Sequence, residues 1–124
     1  MTVTTTHAPP ALWIDACPAH RLGTDDGVAV LLPDGHQAAL VRTRDGRLFA
    51  VDNIDPFTGA AVISRGIVGD RRGEPTIASP MLKNVFSLRT GRSLDDPQVR
   101  LRTWAVRDTG TTVQISTRAE EESP

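Results

Sequence analysis

The sequence predicts an all-β domain, a small sandwich or barrel with at most one short helix. Apolar runs of strand length recur along the chain, explicit turn residues separate them, and no heptad or internal repeat is present. A chain of 124 residues has room for one core and too little for two of ordinary size, so one domain is expected.

The first run, LWIDA, begins at about residue 11. VAVLL at 28–32, QAALVRT at 37–43 and RLFAVDN at 47–53 follow, with Pro33-Asp34-Gly35 and Arg44-Asp45-Gly46 between them. An Asp-Gly pair supplies the positive φ that a tight hairpin requires. PTIAS at 75–79 and NVFSL at 84–88 form a second group, and LRTWAV at 101–106 and TTVQIS at 111–116 flank the turn Arg107-Asp108-Thr109-Gly110. GAAVISRGIVGDRRGE at 59–74 reads as a long irregular insertion, a type of loop that in compact domains is functional or disordered. Residues 1–10 are Thr- and Pro-rich and residues 119–124 (AEEESP) are acidic. Neither end has the apolar surface to offset its ordering entropy, so disordered tails are expected around a domain of residues 11–118.

Fourteen basic and fifteen acidic side chains give a net charge of −1, without the sustained positive field that nucleic acid or an anionic membrane would select. No run approaches the roughly 18 apolar residues of a membrane span. The lone Cys17 cannot form an intramolecular disulfide, and MTVTTTHAPP has neither the basic nor the apolar region of a secretion signal. The cytoplasm is the expected compartment.

Candidate reactive groups are sparse. Cys17-Pro18-Ala19-His20 has metal half-site spacing, but a structural or cluster site needs about four ligands. His7 lies in the N-terminal tail and His36 beside a turn. Cys17 is better read as a small hydrophobe ending the first strand, and His20 as a loop residue. Asp15, Cys17 and His20 together are too local for a nucleophile–base–acid site. Gly66, Gly69 and Gly73 lack the Gly-Lys-Ser/Thr of a phosphate loop, and Asp25-Asp26 and Asp95-Asp96 sit where turns favour Asp.

The informative segment is 51–91. VDNIDPFTGA at 51–60 and IASPMLKNVFSLRTG at 77–91 resemble the cluster-binding half of a Rieske domain, whose loops read roughly Cys-Pro-His-x-Gly and Cys-Pro-x-His-Gly-x-x-Phe-x-x-x-x-Gly. Asn53, Pro56, Gly59, Pro80, Phe86, Thr90 and Gly91 keep that scaffold. The ligand positions do not: Asp55 and Ser79 stand for the cysteines, Phe57 and Leu82 for the histidines. A Rieske centre needs two thiolates and two imidazoles. The resemblance therefore implies a Rieske-type β-sandwich or barrel without a cluster, in which Phe57 and Leu82 fill the vacated space as a packed apolar tip.

Residues 52–97, including the SRGIVGD insertion, are similar to the small subunit of cytoplasmic NAD(P)H-dependent nitrite reductase. That resemblance implies no catalytic group and no cofactor in this chain, and a large-subunit partner carrying FAD, an iron–sulfur cluster and sirohaem, which reduces nitrite to ammonium. Two alternatives are an electron-carrying Rieske ferredoxin, which the missing ligands oppose, and a cluster-less interaction or regulatory module of another oxidoreductase. The partner surface is expected on the former ligand loops and the insertion, where Ile63, Ile67 and Val68 lie among Arg65, Arg71 and Arg72. An apolar centre with arginine is an interface composition.

Overall fold

The computed structural model describes residues 12–121. Nine strands follow in order: β1 Trp13–Pro18, β2 Gly27–Leu31, β3 Gln37–Arg42, β4 Leu48–Asp52, β5 Ile67–Arg71, β6 Glu74–Ala78, β7 Val85–Ser87, β8 Thr103–Asp108 and β9 Thr112–Ala119. Two single turns of 3-10 helix, Ala19–Arg21 and Ile63–Arg65, replace the one short helix expected.

Six strands form one antiparallel sheet in the order β1-β9-β8-β4-β3-β2, and three form a second in the order β5-β6-β7. The all-β expectation holds. Strand β3 shows why its sequence is almost uniformly apolar. Ala38 and Leu40 face one core cluster with Leu22, Leu32, Trp104, Val113 and Ile115, while Ala39 and Val41 face a second with Ile63, Ile77, Phe86, Leu88 and Leu101. The large sheet is thus buried on both faces at its centre, and the small sheet covers one of them, so period-two alternation disappears there.

The segment read as an irregular insertion is ordered structure. Ile67–Arg71 pairs with Glu74–Ala78 through the two-residue turn Arg72-Gly73, with φ of 53° and 88°. Two positive φ values are what a type I′ hairpin demands. Pro75 lacks an N–H, and its carbonyl turns away to accept from Leu88 N–H at 2.9 Å. Its partner Asp70, and likewise Val68 two residues before, therefore direct their backbone groups outward. β5 is an open edge of its sheet.

The C-terminal boundary also moves. Ala119 ends β9, and Glu120 N–H donates to Thr103 O at 2.7 Å, so these two residues, assigned to a tail on composition, belong to the sheet. The rest of both expected tails lies outside the described residues, apart from Glu121.

Candidate functional site

The two former ligand loops leave the C-terminal ends of β4 and β6 and meet at one end of the molecule. In the first loop Asp55 N–H donates to Ala60 O at 2.8 Å, and Gly59 N–H returns to Asp55 O at 2.7 Å, with Gly59 at φ 76°. Asn53, buried, anchors the loop's base: its side chain donates to Gln37 Oε1 at 3.1 Å and accepts Ser64 N–H at 2.8 Å. The second loop closes similarly, with Ser79 N–H donating to Asn84 O at 2.8 Å and Lys83 N–H to Ser79 O at 3.0 Å. Lys83 occupies the glycine position of the Rieske pattern and keeps the left-handed backbone, with φ 58°.

The residues at the two cysteine positions bind each other. Ser79 Oγ donates to Asp55 Oδ2 at 2.5 Å, in full burial. Asp55 Oδ1 accepts Phe57 N–H at 2.8 Å, and Ser79 Oγ accepts Met81 N–H at 3.3 Å. A carboxylate and a hydroxyl thus link the loops directly and organise the turn after each. These residues do not fit a [2Fe–2S] Rieske centre. The two oxygens are committed to each other, and the histidine positions hold hydrocarbons. Among the described residues no three His, Cys, Asp or Glu side chains cluster as metal ligands.

Phe57 and Leu82 do not form the packed tip expected of them. Phe57 is 39% exposed and Leu82 64%, beside Ile54 at 36% and Met81 at 53%. The direct Asp55–Ser79 link occupies the two cysteine positions, and these four side chains lie outside it. Phe57 reaches only the edge of the core, its ring 6.1 Å from that of buried Phe86.

The residues expected in a partner surface separate into three groups. Ile63 is fully buried and supports the fold, so it cannot belong to an interface, while Val68 is half-buried against the same cluster. Their loop lies over the second core, and burial there removes the most apolar surface from water. Arg65 and Ile67 lie beside the ligand loops: Ile67 is 73% exposed and pairs across strands with Ala78, the residue before Ser79. Arg71 and Arg72 are exposed at the hairpin turn, the other end of a five-residue strand, about 16 Å away at 3.3 Å per residue. Of the six, burial removes Ile63 from the expected surface, and the exposed ones run from the ligand loops to the hairpin turn.

The other candidates have structural roles. Cys17 is half-buried against the first cluster with its thiol pKa pushed up, chiefly by burial, and His20 is exposed in its 3-10 turn. Asp95 and Asp96 backbone N–H groups cap Ser93 Oγ, and Asp25 adopts φ 62° in a turn. Gly66 is required for packing, since a Cβ there would lie 2.4 Å from Ala78 O. A groove of about 490 Å³ beside the β3–β4 turn is lined by Asp25, Arg44, Asp45 and Arg47. Both of its arginines are ion-paired, Arg44 with Asp25 at 3.1 Å and Arg47 with Asp45 at 2.9 Å, and Asp70 also lines it.

Fold and site together define a Rieske-type β domain in which the cluster ligands are replaced by a carboxylate–hydroxyl link and two apolar side chains. A family model for the Rieske-like [2Fe-2S] domain matches residues 12–116. The small subunit of Escherichia coli K12 nitrite reductase (NADH) is 33% identical over 103 residues, covering 83% of this chain and 95% of that one. A crystal structure assigned as an NADH-dependent nitrite reductase small subunit from Mycobacterium tuberculosis superposes with a TM-score of 0.83 at 47% identity, covering 86% of this chain and 96% of the other. The chain belongs to the nitrite reductase small-subunit family of Rieske-like domains. It also matches, at 35% identity over 99 residues and 80% of its length, a stretch amounting to 10% of the Klebsiella oxytoca nitrite reductase [NAD(P)H] large subunit.

Among the described residues no helix is long and apolar enough to cross a membrane.

Proposed function

We propose that this chain is the non-catalytic small subunit of a cytoplasmic NAD(P)H-dependent nitrite reductase, carrying no cluster of its own and supporting a large subunit that holds FAD, an iron–sulfur cluster and sirohaem. The observation that carries the reading is the site itself: a Rieske scaffold retained loop by loop, with the four ligand positions occupied by Asp55, Phe57, Ser79 and Leu82. An electron carrier has no use for that arrangement. A docking module does, because rigid loops can present side chains to a partner without chemistry at the tip. The match to part of a chain named as a large subunit supports the same partnership.

The test is reconstitution. Purified small subunit, expressed in an iron-replete host, should be colourless and free of stoichiometric iron. Added to purified large subunit, it should bind saturably and raise or stabilise NAD(P)H-dependent nitrite reduction. Iron with charge-transfer bands would reinstate the ferredoxin reading, and absence of binding with a different oxidoreductase captured instead would favour the regulatory-module reading.

A further inference from the structure

We infer that the end of the molecule formed by Ile54, Phe57, Met81 and Leu82, with Arg65 and Lys83 beside it, is the surface that docks on the large subunit, and that it takes an apolar patch bordered by carboxylates. The inference rests on the proposed partnership and adds the surface and its chemistry. Seven large hydrophobic residues are exposed among those described, and four of them belong to the two loops joined by the Asp55–Ser79 bond. A fifth, Ile67, lies alongside, paired with Ala78. At their observed exposures the four loop residues present on the order of 400 Å² of surface, within the range of patches that are functional on monomers.

The loops are held for presentation. Each turn is fixed by a side-chain acceptor, Asp55 for Phe57 N–H and Ser79 for Met81 N–H. The apolar side chains therefore project from a frame that loses little freedom on binding. Charge selects the occupant. Arg65 and Lys83 are exposed and, among the described residues, neither has an ion-pair partner, whereas the arginines around the β3–β4 groove do. A second copy docked face to face would oppose cation to cation, so self-association through this end is disfavoured and an acidic-rimmed partner is favoured. Lys83 stands at the position for which the Rieske pattern has glycine, with φ 58°, and so sets its cation within the second ligand loop.

The experiment titrates full-length wild type and variants against purified large subunit, with thermal melts beside each. Met81→Glu with Leu82→Glu should raise Kd about a hundredfold, as loss of central apolar contacts does, with the melting temperature retained. Lys83→Gly, which relieves the backbone while removing the charge, should melt no lower than wild type yet bind several-fold more weakly and with a shallower salt dependence. Leu31→Glu, at an exposed apolar position on β2, should bind as wild type. Unchanged affinity in the double variant with wild type binding normally overturns the surface and leaves the proposed function intact. Failure of wild type itself to bind overturns both. A stronger effect from Arg71→Glu with Arg72→Glu than from the double variant would move the interface to the far end of the hairpin and also overturn the inference. Wild-type self-association abolished by the double variant would assign the surface to a second copy instead.

Discussion

Removing the carboxylate of Asp55 should unfasten the two loops, and the cost can be worked from its contacts. In Asp55→Ala a fully buried group disappears together with hydrogen bonds from Ser79 Oγ at 2.5 Å and Phe57 N–H at 2.8 Å. Each hydrogen bond contributes about 1 kcal/mol, and leaving the Ser79 hydroxyl without its acceptor costs about 1–3 kcal/mol more, so a net loss of about 3 kcal/mol is expected. Ser79→Ala leaves one carboxylate oxygen buried and unpaired, for about 2 kcal/mol. The double variant should cost little more than Asp55→Ala alone, because once the carboxylate is gone the hydroxyl has lost its main partner. The cycle should therefore show a coupling of about 1–2 kcal/mol. Asp55→Asn, whose carbonyl can still accept Phe57 N–H, should be milder than Asp55→Ala. Urea unfolding gives the free energies, and the thermal melt of Asp55→Ala should fall by roughly 10 °C at about 4 °C per kcal/mol. Single variants each within about 0.5 kcal/mol of wild type, adding without coupling, would refute the view that this bond holds the tip.

Gly91 has φ 78°, and a Cβ there would lie 2.1 Å from Leu101 O, whose residue also donates its N–H to Gly91 O; Gly91→Ala should cost more than about 3 kcal/mol in a melt, and a near-normal melting temperature would show that this backbone pair can part. Asp52 has its pKa raised chiefly by burial, so the native state holds the proton more tightly and stability contributed by this group falls as pH rises from about 3.9 through the raised folded value. Asp52→Asn should consequently be at least as stable as wild type at pH 7 and lose that advantage below pH ~4, which melts across pH measure directly. Cys17→Ser and His20→Ala should leave nitrite reduction by the assembled enzyme within about twofold, a few tenths of a kcal/mol; a hundredfold loss with assembly intact would restore them as reactive groups.

Much of the large sheet was legible because its hairpins carry Asp-Gly turns and its strands carry apolar residues in plain runs. β5 was not, for a physical reason. Its residues Ile67, Val68, Gly69, Asp70 and Arg71 place one half-buried side chain among exposed ones, so burial leaves almost no pattern on the sequence. The usable signal was the Arg72-Gly73 pair between two short runs, a turn type that accepts a non-glycine at its first position only with strain. At the site, ligand loss could be read residue by residue, since it depends on identity alone. The exposure of Phe57 and Leu82 could not, because it depends on how two loops whose linked residues lie 24 positions apart come together in the fold. Ile63 illustrates the converse: a glycine-rich neighbourhood suggested a surface loop, while the side chain plugs the core.

The free flank of β5 has a consequence for handling the protein and for its evolution. A strand with unsatisfied backbone groups can recruit another strand, and proteins restrain this with charge and with residues that pair poorly. Here Gly69 offers no side chain to a visiting strand, and Asp70, Arg71 and Arg72 crowd the turn end with charge. Charge at the hairpin turn is the kind of feature that disfavours pairing between copies along this strand. Substitutions that neutralise it would be felt first as precipitation at high concentration, with the native fold and the opposite end of the molecule untouched.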